Sequence, residues 1–187
     1  MKQLTQKVYT PEEYLEIEAE AETRHEFING EVVPMAGGTT KHNVITGNLY
    51  IALRLALKEK NAPVYMENVK LWLPSVNVFT YPDVMVLAGD PVYYGQNQTT
   101  VTNPVVIIEV LSNSTRNYDQ GEKFSFYRTL DSLQEYVLVD QNQSLVMVYR
   151  RGTAKEWSLY ILEDSTDVMQ LDSVGVEVPL SGIYEGV

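Results

Sequence analysis

Asn103-Pro104-Val105-Val106-Ile107-Ile108-Glu109-Val110-Leu111 is the most apolar run of the chain, and it carries one carboxylate. Four β-branched residues in succession after a proline predict a strand covered on both faces, the interior of a sheet sandwiched by helices. Glu109 then falls near the carboxyl end of that strand, where open α/β sheets place their chemistry. An ionised group buried there is costly unless something pairs with it. A structural carboxylate bound to arginine or backbone would satisfy that demand as well as a functional one.

Upstream, Tyr81-Pro82-Asp83-Val84-Met85-Val86-Leu87 predicts a second strand led by Pro and Asp. Val64 to Pro74 predicts another, with Val69, Leu71 and Leu73 alternating against Lys70 and Trp72. Between Lys41 and Lys60, Val44, Ile45, Leu49, Leu53 and Leu57 recur at helical spacing and give the longest helix, stopped near Asn61-Ala62-Pro63. Pro34 to Thr40 is a small-residue loop. Asn29-Gly30, between His25-Glu26-Phe27-Ile28 and Glu31-Val32-Val33, specifies a type I′ hairpin. Thr10-Pro11-Glu12-Glu13 supplies an N-cap, a first-turn proline and a capping-box glutamate for a helix running to about Glu20.

Downstream, Asp119-Gln120-Gly121-Glu122 fits a capping box and opens a helix to about Leu130, with Lys123 in its first turn and Tyr127 on the same face. Glu135 to Asp140 pairs with Leu145 to Arg150 across Gln141-Asn142-Gln143-Ser144, Glu156 to Leu162 adds a strand, and Val176 to Leu180 forms a short edge element. Gly89 to Asn103, rich in turn residues, is an excursion suited to a lid or a partner-facing segment. The expected whole is one α/β domain over residues 1–187.

The 187 residues include no cysteine, which excludes disulfides, thiolate zinc sites and cysteine nucleophiles and fits a reducing, cytoplasmic setting. The first seven residues lack the apolar core of a signal peptide, and no window approaches the length of a membrane span. Three sequons, at Asn97, Asn113 and Asn142, then read as chance matches. A net charge of −11 disfavours a protein devoted to non-specific nucleic-acid binding, yet suits a site that concentrates divalent cations.

Asp83 and Glu109, on successive predicted strands, make a pair of hard oxygen ligands. Mg²⁺ prefers one or two carboxylates and leaves its other positions to water and substrate phosphate. Such an ion lowers the pKa of an attacking water, and a nearby lysine stabilises the transition state. Lys123 is the candidate lysine.

Pro82-Asp83 followed by Glu109-Val110-Leu111 resembles the motif of the PD-(D/E)XK nuclease superfamily, with Leu111 in the place of the final lysine. His25-Glu26-Phe27-Ile28-Asn29-Gly30-Glu31, His42, Ile108 to Thr115 and Gly121-Glu122-Lys123-Phe124 with Tyr127-Arg128 resemble a bacterial family of that superfamily, the Uma type of candidate restriction endonucleases. The likeness covers nearly the full chain. It implies a restriction-endonuclease-like mixed β-sheet flanked by helices, preceded by an N-terminal helix and β-hairpin. It also implies a divalent metal, Mg²⁺ or Mn²⁺, and Asp83, Glu109 and Lys123 as the catalytic set, the lysine having moved to the helix after the Glu strand. It does not imply a known substrate, and the first reading is a metal-dependent nuclease acting on DNA.

Glu26, Glu31 and His42 precede the core strands as accessory candidates. Glu31 reads instead as a solvated hairpin residue, and a lone histidine such as His42 is more often a cap or a packed side chain. Tyr127 reads as core, and Arg116, Arg128 and Lys41 as surface charges. Asp83 and Glu109 are expected to meet at the carboxyl ends of adjacent strands, with the Lys123 ammonium about 3–4 Å from Glu109. Lys123→Ala is expected to keep the fold and metal binding while losing most cleavage. A homodimer is expected because cutting both strands calls for two sites, with Tyr93 and Tyr94 as exposed-looking contacts. The competing reading is a catalytically inactive nucleic-acid-binding or assembly module of the same fold.

Overall fold

A computed structural model describes residues 7–96, 98–153 and 156–187. The reading of the first residues as leaderless and the sequon at Asn97 lie outside the described residues, apart from Lys7. Thr10 caps α1 (Pro11–Glu20): its side chain accepts from the Glu13 N–H, and Glu13 reaches back to the Thr10 N–H. Thr10→Ala should lower unfolding free energy by about 1 kcal/mol, read from the midpoint of a urea titration.

β1 (His25–Ile28) and β2 (Glu31–Pro34) form the expected hairpin. Asn29 at φ 50° and Gly30 at φ 97° supply the two positive dihedrals of a type I′ turn. A Cβ on Gly30 would lie 2.4 Å from Val8 Cγ1, so the turn also depends on glycine for space. Helix α2 (Thr40–Ala56) follows, with Ile45, Leu49 and Leu53 buried; Val44 sits off that face, partly exposed.

The expected strand from Val64 to Pro74 is two strands in two different sheets. β3 (Val64–Met66) and β4 (Lys70–Leu73) are separated at Glu67, which adopts φ 50°. The chain returns between sheets a second time: β5 (Val78–Thr80) belongs with β4, whereas β6 (Val84–Leu87) belongs with β3. Tyr81-Pro82-Asp83 is therefore a crossing rather than the start of a strand. Alternation of side chains reads the same in both sheets, so periodicity alone does not reveal the crossing.

With β7 (Thr100–Val101), the first sheet has strand order β2-β1-β5-β4-β7. The second is built on β8 (Pro104–Leu111), every residue of which is buried. It adds β9 (Glu135–Asp140), β10 (Val146–Arg151) and β11 (Trp157–Leu162) in the order β11-β10-β9-β8-β6-β3. β8 runs antiparallel to β6 and parallel to β9. The expected edge element at Val176 is one arm of a ribbon, β12 (Val168–Leu171) with β13 (Val176–Pro179), leading into α5 (Leu180–Ile183).

One face of the six-stranded sheet packs on α2, the ribbon and α5 through Leu49, Leu53, Val106, Ile108, Met169 and Ile183. Its other face meets the five-stranded sheet through Leu71, Leu73, Val78, Ile107 and Leu111. The hairpin thus belongs to a second sheet that closes one side of the core. Helix α1 covers the outside of that sheet, where Tyr14, Phe27, Trp72 and Phe79 are packed together. The Tyr94 ring lies tilted against this cluster, 5.3 Å from Trp72, and both Tyr93 and Tyr94 are half-buried rather than fully exposed.

Candidate active site

β6 and β8 run antiparallel with Val84 opposite Ile108, so Asp83 and Glu109 come next in register at the same end of these two interior strands. Asp83 is at the amino end of its strand, not the carboxyl end expected from sequence. Antiparallel pairing brings it to Glu109 all the same. The two are cross-linked through the backbone. Asp83 Oδ2 accepts from the Val110 N–H at 2.7 Å, and Glu109 Oε2 accepts from the Asp83 N–H at 3.3 Å.

After β8 a short polar turn leads into α3 (Arg116–Tyr118), a π-turn (Asp119–Lys123) and α4 (Phe124–Tyr127). The helix starts earlier than the capping-box reading placed it, and Asp119 lies inside it rather than at its cap. An α-helix advances its face by about 40° every four residues, so positions 119, 123 and 127 would drift by about 80°. A π-turn, bonded one residue further along, turns less per residue and offsets part of that drift. Asp119, Lys123 and Tyr127 all come to the cluster around Glu109.

Lys123 Nζ lies 3.0 Å from Glu109 Oε1, 3.3 Å from Asp119 Oδ1 and 3.8 Å from Glu26 Oε1. Tyr127 donates its hydroxyl to Glu109 Oε1 at 2.6 Å; it is core, as expected, and also a ligand of the site glutamate. Glu26 accepts from the Thr80 hydroxyl and, at 3.3 Å, from Tyr118 Oη. Of the accessory candidates, Glu26 thus faces the lysine. His42 Nε2 is 3.1 Å from Asp83 Oδ2, at the first turn of α2, where Thr39 caps its N–H. Glu31 is exposed in the hairpin, paired in register with Ile28, and takes the solvated role. Arg116 is paired with buried Asp140, while Lys41 and Arg128 are exposed.

Asp119 was missed by sequence reasoning, because Asp at a capping-box position is an ordinary helix start. It is 2% exposed, and its Oδ1 has no aligned hydrogen-bond donor although the lysine ammonium is close. Periodicity carries no signal for the π-turn that brings it inward.

The site has a graded exposure: the Asp83 side chain is 19% exposed and His42 14%, against 3% for Glu109. Burial pushes the Glu109 carboxyl up to about 8, against the pull of the Lys123 ammonium and with the push of Asp83 and Asp119. Burial also works against the charged form of Lys123, but the carboxylates of Glu109, Glu26 and Asp119 outweigh it and hold the ammonium well above its ordinary value. For His42 burial is again the largest influence and opposes charge; the bond to Asp83 overcomes it and raises the imidazole.

Among the described residues no three His, Asp or Glu side chains form a cage for an ion. The donor set is instead two hard carboxylates, one on β8 and one at the crossing that leads into β6, which fits Mg²⁺ or Mn²⁺ retaining several waters and does not fit a fully protein-ligated zinc.

Residues 11–181 match the model of the Uma2 family, described as "Putative restriction endonuclease". The chain belongs to the Uma2 family. Two Synechocystis relatives carry the names "Uncharacterized protein sll1609" and "Uncharacterized protein slr1290". The first is 40% identical over 155 residues, covering 83% of this chain and 88% of that protein, and the second 31% over 178 residues, covering 95% and 92%. A crystal structure from Anabaena variabilis, titled a putative nuclease belonging to DUF820, superposes with TM-score 0.77 at 18% identity, covering 94% of this chain and 97% of that one. At that identity the likeness establishes a shared fold. Uma2 membership agrees with the resemblance read from Pro82-Asp83, Glu109 and Lys123 in the sequence.

Proposed function

We propose that this Uma2 protein is a metal-dependent DNA endonuclease, hydrolysing phosphodiester bonds with a metal-activated water. The observation that carries the reading is the convergence of Asp83, Glu109 and Lys123 from a crossing, a strand and a π-turn, with the ammonium 3.0 Å from Glu109. Asp83 and Glu109 would hold Mg²⁺ or Mn²⁺, which supplies an acidified water and neutralises phosphate charge. Lys123 then stands where negative charge grows during phosphoryl transfer, a cation fixed in a site poor in water. Its surroundings keep it protonated, so its role is electrostatic rather than that of a base. His42 holds the exposed side of Asp83.

A shallow groove lined by Thr39, Lys41, Ser112, Asn113, Ser114 and Asn142 lies beside the carboxyl end of β8 and the start of α2. It contains a lysine and no carboxylate, so it can take a phosphate backbone despite the net charge of −11. The reading extends to a homodimer, since a duplex offers two strands to cut, and to a cytoplasmic setting in keeping with the absence of cysteine. No described helix is long and apolar enough to cross a membrane.

The test is Mg²⁺- or Mn²⁺-dependent cleavage of a mixed pool of single- and double-stranded DNA. Wild type should cut, and Asp83→Ala should fall by at least about a hundredfold because a ligand of the ion is lost. Equal rates in the two proteins would refute the assignment. The competing reading, an inactive module of the same fold, is favoured by one observation: Glu109 is already engaged by Lys123, Tyr127 and the Asp83 N–H. Metal-independent DNA binding without cleavage would select it.

A further inference from the structure

Glu109 is asked to do two things at once. In its ionised form it neutralises a buried ammonium, and, on the reading above, it gives oxygens to a divalent cation. If the cation takes the charge of Glu109, Lys123 loses its nearest partner while nine-tenths of its side chain stays buried, and an unpaired buried charge is strongly destabilising. Binding would then be opposed by the very residue meant to assist the reaction.

Two further carboxylates surround the same ammonium. Asp119 Oδ1 is 3.3 Å away and buried, already within ion-pair reach of the ammonium but not aligned with it for a hydrogen bond. Glu26 Oε1 is 3.8 Å away and is fixed from behind by Thr80 and Tyr118. The backbone of Asp119 is fixed too, since its carbonyl accepts from Tyr136 Oη at 2.9 Å. Neither carboxylate needs to travel to receive the lysine.

We propose that Asp119, seconded by Glu26, is a positioning residue that takes over the Lys123 ammonium when Glu109 engages a divalent cation. The inference rests on the metal-site reading of Asp83 and Glu109. It explains why a surplus of acid gathers about one lysine, and why an Asp119 oxygen lies buried without an aligned donor: the surplus becomes balanced once a cation arrives. It also gives the π-turn a purpose, since the turn carries Asp119 and Lys123 inward together.

The test measures Mn²⁺ affinity by calorimetry, and melting temperature with and without Mn²⁺, in wild type, Asp119→Asn, Asp83→Ala and Glu67→Gln. Asp119→Asn is expected to weaken Mn²⁺ binding on the order of tenfold, the usual range for a residue that supports a ligand from behind, while the metal-free melting temperature holds. Glu67→Gln removes a carboxylate whose charge reaches His42 without touching Lys123, so it reports the general loss of negative field. Its effect should be much smaller. Unchanged affinity in Asp119→Asn, an equal loss in Glu67→Gln, or an equal fall in melting temperature with and without metal would each overturn the inference. Wild-type binding abolished by Asp83→Ala keeps the metal site standing in those cases. If wild type binds no Mn²⁺, the metal-site reading and this inference fall together.

Discussion

Lys123→Ala should lose cleavage by about a hundred- to a thousandfold, the cost of removing one preorganised charge from a transition state. Unlike the expectation from sequence alone, it should also be markedly less stable. The side chain is buried among Glu109, Asp119 and Glu26, and removing it leaves three carboxylates facing one another. Breaking a buried pair from one side costs about 3–5 kcal/mol. For a chain of this length that lowers the melting temperature by roughly 10 °C, within what calorimetry resolves. Part of the loss should return when Mn²⁺ is added, because the cation supplies the missing charge. Full stability and full cleavage in Lys123→Ala would place the lysine outside the mechanism.

Cation affinity should climb steeply with pH up to about 8. The Glu109 carboxyl is pushed up to about 8 chiefly by burial, and a cation must displace its proton. Affinity should fall as pH is lowered from 8 to 6. The sign for stability runs the other way. A carboxyl whose folded value is raised contributes stability that is fully present below its unfolded value near 4.5 and is lost as pH rises through 8. The metal-free protein therefore loses this contribution over the window in which the loaded protein gains its ion. The Mn²⁺-induced rise in melting temperature should widen from pH 6 to pH 8.5, and a shift constant across that range would contradict it.

Much of this arrangement is legible in the sequence, for identifiable reasons. The apolar run from Val105 to Ile108 admits few structures other than a doubly covered strand, and the Asn29-Gly30 turn and Thr10 cap are local chemistry that tertiary packing leaves alone. The lysine is legible by resemblance, and its 3.0 Å distance to Glu109 falls at the near end of the expected range. What is not legible is which sheet a strand joins. Lys70 to Leu73 and Val84 to Leu87 read alike, and only the kink at Glu67 and the crossing at Tyr81-Pro82-Asp83 separate them. That crossing decides that Asp83 opens its strand instead of ending it. Nor does the sequence reveal the π-turn, since Asp119 carries the ordinary marks of a helix cap while its side chain is turned into the core.

The order of residues along the chain also bears on when the proposed site is completed during synthesis. A ribosome delivers Glu26, His42, Asp83 and Glu109 first, and the lysine and tyrosine that make a buried Glu109 tolerable come afterwards. The β9 strand that must lie alongside β8 comes later still. Because non-local pairing closes last, a nascent chain would hold the proposed cation ligands before the fixed charge beside them. On the proposed reading, the site is complete only once the chain through β9 has been made.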